Sequence, residues 1–161
     1  MSLFDRRSFL FLPLAIAACG FEPVYGPGGT GTALQGKVRV DAPDGINTYL
    51  LVRRLEEQLG RSADPTYRLS MVLATGIQGQ AITAEGAITF YSFVGQIDYK
   101  LHDIGRDTVV TTGSVDKFTG YSATGDTVET LAAQRDARER LMVILADQVV
   151  RDLYVQLDLP E

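Results

Sequence analysis

Residues 34–40 place Leu34, Gly36, Val38 and Val40 in alternation with Gln35, Lys37 and Arg39, which predicts a strand with one buried face. The Asp41-Ala42-Pro43-Asp44-Gly45 stretch ends it. Leu51, Val52, Leu55 and Leu59 then keep to one side of a 3.6-residue period, predicting a helix capped by Asn47 or Thr48 and closed by Gly60. Arg53, Arg54, Glu56 and Glu57 read as its solvated side, joined by weak pairs three or four residues apart. Strand periodicity resumes over 66–75, where Tyr67, Leu69, Met71 and Leu73 alternate with Arg68, Ser70, Val72 and Ala74. A glycine-rich interval around Gly76, Gly79 and Gly86 follows.

Residues 89–103 are the longest strand candidate. Tyr91, Phe93, Ile97, Tyr99 and Leu101 lie on one side, and Ser92, Gln96, Asp98, Lys100 and His102 on the other. A turn at 104–107 leads to a partner strand over 108–118, so the two form a hairpin that the preceding strand extends into an antiparallel meander. From Thr127 the period becomes helical for about thirty residues, with Leu131, Met142, Leu145, Val149, Leu153 and Leu157 on or near one stripe. Asp126 or Thr127 is the predicted cap.

The order β-α-β-β-β-α predicts an α+β domain: a mixed four-stranded sheet with both helices packed on one face. The opposite face then stays bare, carrying Phe90 and Val94 among Ser, Gln, Asp and Lys. Such a face is either the solvated side of an antiparallel sheet or a surface packed against another protein, and the pattern leaves both open.

Composition narrows the function. The chain has 161 residues, 45% hydrophobic and 22% charged, which suits one globular domain. Its net charge of -5 provides no field to gather a phosphate backbone, so nucleic acid is not an expected partner. One Cys allows no internal disulfide, thiolate zinc cluster or CxxC redox pair.

That cysteine has a different context. Arg6 and Arg7 precede the apolar run Phe9 to Ala18, which ends on small residues just before Cys19 and reads as a signal peptide. A ten-residue run is half of the roughly 20 needed to span a hydrocarbon core as a helix. Ile16-Ala17-Ala18-Cys19 resembles the lipobox of bacterial lipoproteins, which implies cleavage before Cys19 and acylation of it. Several acyl chains anchor durably where one does so only marginally. Gly20 after the cysteine, in place of Asp, favours the outer membrane, while Arg6-Arg7-Ser8-Phe9-Leu10 also resembles a twin-arginine export signal. Residues 1–18 are thus expected to be a signal peptide, 19–33 a lipidated, Gly- and Pro-rich tether, and 34–161 a single domain.

Several motifs look chemical without the context that chemistry needs. Gly26 to Gly31 satisfies GxGxxG, and Gly31 to Lys37 satisfies GxxxxGK. The first has no strand before it and no helix after it, and in the second Val38 replaces the magnesium-binding hydroxyl. His102 is the only histidine, with Asp98, Asp103, Ser92 and Ser114 as conceivable partners, but no nucleophile elbow supports a triad. Asp103, Asp107 and Asp116 lack calcium-loop spacing. No enzyme, metal or cofactor is expected. Arg68, Lys100, Arg106 and Lys117 sit on or between strands, and any that converge would meet phosphates through charge-assisted bonds; Lys117 has the wrong parity to align with Lys100 unless a bulge intervenes.

Taken together, the lipobox followed by Cys19-Gly20-Phe21-Glu22-Pro23-Val24-Tyr25, the element order, and Ala133-Gln134-Arg135-Asp136-Ala137-Arg138 in the last helix resemble the alphaproteobacterial branch of the LPS-assembly lipoprotein family, LptE. The resemblance implies a non-catalytic lipoprotein on the periplasmic side of the outer membrane. It would plug the LPS-translocating β-barrel LptD, support its assembly, and help deliver lipopolysaccharide to the outer leaflet. Binding of lipopolysaccharide through basic residues is implied too, with Arg68, Lys100, Arg106 and Lys117 as candidates by placement. The alternative is a periplasm-facing lipoprotein that binds lipid or peptidoglycan within another envelope transport system; an envelope hydrolase using His102 comes third.

Overall fold

The structure, a computed structural model, describes residues 34–82, 86 and 88–157. They form β1 (Val38–Val40), α1 (Ile46–Leu59), β2 (Tyr67–Ile82), β3 (Ile88–Asp103), β4 (Thr108–Ser122) and α2 (Thr127–Leu157). The four strands make one sheet in the order β1-β2-β3-β4, with β1 parallel to β2 and the other pairs antiparallel. Both helices pack on one face, giving the α+β arrangement that the periodicity predicts. The signal-peptide and tether assignments, and Cys19 with them, lie outside the described residues.

Three strand boundaries differ from the periodicity, among them that of β4, which continues past Phe118 to Ser122 because β3 pairs with it as far as Phe90. β1 is only three residues long, because the chain before it closes a turn: the Lys37 amide donates to Leu34 and the Gly36 amide to Leu59. Gly36 adopts φ +67, a left-handed conformation that suits glycine and interrupts a strand. β2 instead runs through the glycine-rich interval to Ile82, since the long facing strand β3 supplies a partner at each step as far as a bulge near Gly79. In the turn between β3 and β4, Asp107 takes φ +52, and Asp103 accepts the Arg106 amide hydrogen.

The caps follow local hydrogen-bond chemistry. α1 starts after Gly45 rather than at Asn47 or Thr48; the Thr48 hydroxyl oxygen accepts the Gly45 amide hydrogen at 2.8 Å. Gly60 ends it at φ +75. At α2, Asp126 accepts the Glu129 amide hydrogen at 2.8 Å, as an N-cap should.

One stripe of α2, including Leu141, Leu145, Val149 and Leu153, meets Phe93, Ile97, Tyr99 and Leu101 of β3, while α1 contributes Leu51, Leu55 and Leu59. Complete burial of each such leucine stabilises by about 1.5–3 kcal/mol. Leu131 departs from the predicted stripe: it is 46% exposed, on the first turns of α2. The charged side of α1 does more than pair internally. Arg54 donates to Asp147 of α2 at 2.8 Å, Gln58 donates to the same carboxylate, and Arg53 donates to Glu139 at 3.0 Å. These contacts fix how the two helices lie against each other.

Tyr99 lies across Gly113 of β4, its partner in the ladder, so that a Cβ on Gly113 would collide with the phenol ring. We expect Gly113→Ala to cost about 1–3 kcal/mol, read from urea denaturation, because the buried ring must move. Burial, and secondarily the Asp152 carboxylate, push the Tyr99 phenol up from its ordinary value of 10.0. Its contribution to stability is therefore whole below that value and is lost as pH climbs through the raised folded one. Relative to the parent, Tyr99→Phe should lose less melting temperature between pH 9 and 11; an unchanged alkaline limb would contradict this.

Candidate functional site

The bare face of the sheet is the surface on which the predicted site residues can be placed. In β3 it carries Phe90, Ser92, Val94, Gln96, Asp98, Lys100 and His102, alternating with the buried residues of the other side. The ladder then sets cross-strand rows. Gly76, Val94 and Phe118 form one, Ala74, Gln96 and Asp116 the next, then Val72, Asp98 and Ser114, then Ser70, Lys100 and Thr112. At the end nearest β1, Arg68 stands beside His102, and the parallel β1–β2 register brings Arg39 beside Arg68.

Positive charge therefore gathers at one end of the strands. The β1 end is cationic, with Arg39, Arg68 and Lys100 around His102. Arg68 is half-exposed and donates from Nε and Nη2 to the two oxygens of Asp41, at 2.7 and 2.8 Å. That carboxylate also raises the Arg68 guanidinium above its ordinary value, first through the hydrogen bond and then through its charge. Exposed apolar side chains are spread along the face: Val109 beside His102 is 51% exposed, Val72 in the Asp98 row 70%, and Phe118 farther along 69%. Between Gly76, Val94, Gln96 and Phe118 the surface sinks into an open hollow of about 430 Å³. Phe90 lies over Gly120, where a Cβ would strike its ring.

The four basic candidates separate. Arg68 and Lys100 share the bare face, on neighbouring strands and in adjacent rows. Arg106 lies in the β3–β4 turn at the same end, 83% exposed and only 4.0 Å from Asp103. Lys117 pairs with Gly95, whose absent side chain would point at Leu141 and Leu145 of α2, so it belongs to the helix-bearing side. The one irregularity in the β3–β4 ladder falls between Leu101 and His102, beyond the Lys100 pairing, and does not reverse that parity. Arg39 joins the cationic end although sequence reasoning left it out. Its alternation with Val38 and Val40 puts it on this face, but only the parallel pairing puts it next to Arg68.

His102 meets Ser70 at 3.2 Å, while Ser92 is buried and Ser114 accepts from Gln96. Asp103 instead holds the Arg106 amide. Thus the residues considered for a triad stand apart, and the Ser70–His102 pair has no carboxylate bonded to the imidazole among the described residues. No group of three or more His, Cys, Asp or Glu there is arranged to hold a metal. No helix of the described residues is long and apolar enough to cross a membrane.

No family model matches the sequence, and no curated protein matches it. Solved structures do resemble the fold. A candidate lipoprotein from Caulobacter crescentus CB15 superimposes with a TM-score of 0.67 at 21% identity, covering 82% of this chain and 98% of that one. The fold is one found among bacterial lipoproteins. The rare lipoprotein B of Shewanella oneidensis has a TM-score of 0.56 at 10% identity, with 73% and 91% covered. A minor lipoprotein of Acinetobacter baumannii also has a TM-score of 0.56, at 16% identity, with 74% and 93% covered.

If the bare face carries a solvent-facing apolar patch, its largest exposed ring should matter to dye binding and little to folding. Phe118→Ser is expected to lower the fluorescence of a bound solvatochromic dye at least about twofold while shifting stability by no more than about 0.5 kcal/mol. Equal dye signal from parent and variant would place the patch elsewhere.

Proposed function

We propose that this chain is a lipoprotein of the LPS-assembly type, LptE, acylated at Cys19 and held on the periplasmic side of the outer membrane. In this reading it is non-catalytic. It occupies the lumen of the barrel LptD, supports barrel assembly, and takes part in moving lipopolysaccharide to the outer leaflet. The observation that carries the proposal is a fold shared with lipoproteins, rare lipoprotein B among them, in a chain whose residues Ile16 to Cys19 resemble a lipobox.

The bare face suits such a role physically. A sheet face lined with Ser, Thr and Gln between short apolar stretches matches the polar interior wall of a large barrel. An acyl anchor in the same membrane raises the local concentration of the domain around that barrel. At the cationic end, Lys100 and Arg39 have no ion pair among the described residues, whereas Arg68 is engaged by Asp41. Lys100 and Arg39 are thus the groups best placed to meet lipid phosphates, with Arg68 behind them and Arg106 at the adjoining turn.

Depletion of the protein is the decisive experiment. Surface lipopolysaccharide and mature barrel should both fall, Cys19→Ser should reproduce the loss, and the barrel should co-purify in near-equal amount. Charge reversal at Arg39 and Lys100 together should weaken lipopolysaccharide binding about tenfold or more, while Lys117→Glu leaves it within about twofold. Normal outer-leaflet lipopolysaccharide in depleted cells would refute the proposal. A monomer that carries lipid and captures no barrel would instead favour the periplasm-facing transport lipoprotein.

A further inference from the structure

β2 has 16 residues, yet β1 pairs with only three of them, Tyr67 to Leu69. The bonds at that short seam show which backbone groups face outward. The Tyr67 amide donates to Lys37, and the Leu69 carbonyl accepts from Asp41. Backbone direction alternates with the residue, so the amides and carbonyls of Met71, Leu73, Thr75 and Ile77 point the same way, beyond the end of β1. Among the described residues no strand pairs with that edge. Pro43 stands where β1 would have to continue, and it has no amide hydrogen to offer.

Two hollows border this edge. One, about 290 Å³, is walled by the apolar side chains of Pro43, Leu51, Val52, Met71 and Leu73, with Asp41 and Asp44 on its loop side. The next, about 380 Å³, lies beyond Leu73 at Asn47, Thr48, Thr75 and Arg138. They share Leu73 and follow successive same-face residues of β2, which in a strand are about 7 Å apart. Two hollows at that interval fit alternate side chains of an added strand. Their chemistry differs. Arg138 lies over the Phe93 ring at 5.6 Å, its Nε is buried without a hydrogen-bond partner, and it pairs with no carboxylate among the described residues. Asp44, which borders both hollows, has its carboxylate engaged by the Thr48 hydroxyl.

We propose that the free edge of β2 from Met71 to Ile77 is a strand-addition site for an extended segment of a partner protein. In that segment an apolar residue and an acidic residue stand two positions apart, the first entering the Leu51–Met71 hollow and the second meeting Arg138. Backbone bonds to β2 supply affinity, and the two side chains supply selectivity. The site rests on the edge alone and does not depend on the barrel-plug reading.

The test uses the full chain, isotope-labelled in detergent micelles, and the peptide acetyl-TTVTETT-amide. Saturable amide shifts confined to β2 and the Arg138 region are expected at about millimolar affinity or better, with hydrogen exchange at Met71, Leu73, Thr75 and Ile77 slowed at least about tenfold. Methylating every second peptide nitrogen, in each of the two phases, should abolish binding in one phase. Replacing the glutamate by lysine should weaken binding about fivefold or more, and Arg138→Glu should invert that preference. The peptide changes keep the test decisive even if Arg138→Glu fails to fold. The proposal is overturned by the absence of saturable shifts, by shifts on the bare face instead, or by equal binding of both methylated peptides. It is also overturned if these amides are already protected in the free chain: protection independent of protein concentration would mean the chain's own segment covers the edge, and protection that rises with concentration would mean a second copy does. Failure of lipopolysaccharide delivery on depletion bears only on the separate proposal above.

Discussion

Leu141 and Leu145 of α2 come within 3.1 Å of where a Cβ on Gly95 would stand, so helix and sheet meet closely at a residue with no side chain. That contact draws the apolar stripe of α2 down onto β3 and β4 and lets Phe93, Ile97, Tyr99 and Leu101 bury completely or nearly so. Inside it, the Thr119 hydroxyl donates to the Ala137 carbonyl at 2.7 Å, which pairs a buried polar group at the same seam. With α1 fastened to α2 through Asp147 and Glu139, the helix layer is committed to one side. The other face of the sheet and its edges are therefore left without a helix over them.

The bare face keeps aromatic and branched side chains that contribute little to the core. Phe118, Val72 and Phe90 remain substantially exposed while Tyr99, on the helix-bearing side of β3, is 1% exposed. Apolar surface left in water gives up the stabilisation that burial would supply, a loss that the proposed docking into a barrel would recover. The cationic end has the complementary logic. Asp41 satisfies Arg68 in a two-pronged pair and holds its guanidinium flat, which leaves Arg39 and Lys100 as the charges a phosphate would meet first.

Periodicity made most of this architecture legible, including the helix-facing set Tyr91 to Leu101 and the bare face opposite it, because a long antiparallel strand alternates without ambiguity. It misjudged Gly76 and Gly79, where glycine suggests a loop in isolation but a 16-residue partner strand enforces extension. It also treated Arg53 and Arg54 as merely solvated, since no sequence spacing reveals that Glu139 and Asp147 lie across a helix interface 86 and 93 residues later. Among the basic candidates, parity correctly set Lys117 apart from Lys100. Arg39 escaped notice because its neighbour Arg68 is supplied by a parallel pairing that local sequence does not encode.

Direction along the sheet orders these features. Arg39, Arg68 and Lys100 gather at the end where β1 joins, yet Val109, paired with His102, is 51% exposed and Ile104 in the adjoining turn 42%, so charged and apolar groups mix there. Phe118 and the hollow beside it lie several rows farther along the strands, at about 3.3 Å per residue, with Gln96 and Asp116 in the next row. The bare face is thus amphipathic along its whole length rather than divided into a charged half and an apolar half. A surface of that kind suits contacts in which small apolar insertions alternate with polar pairs more than it suits burial as a dry core.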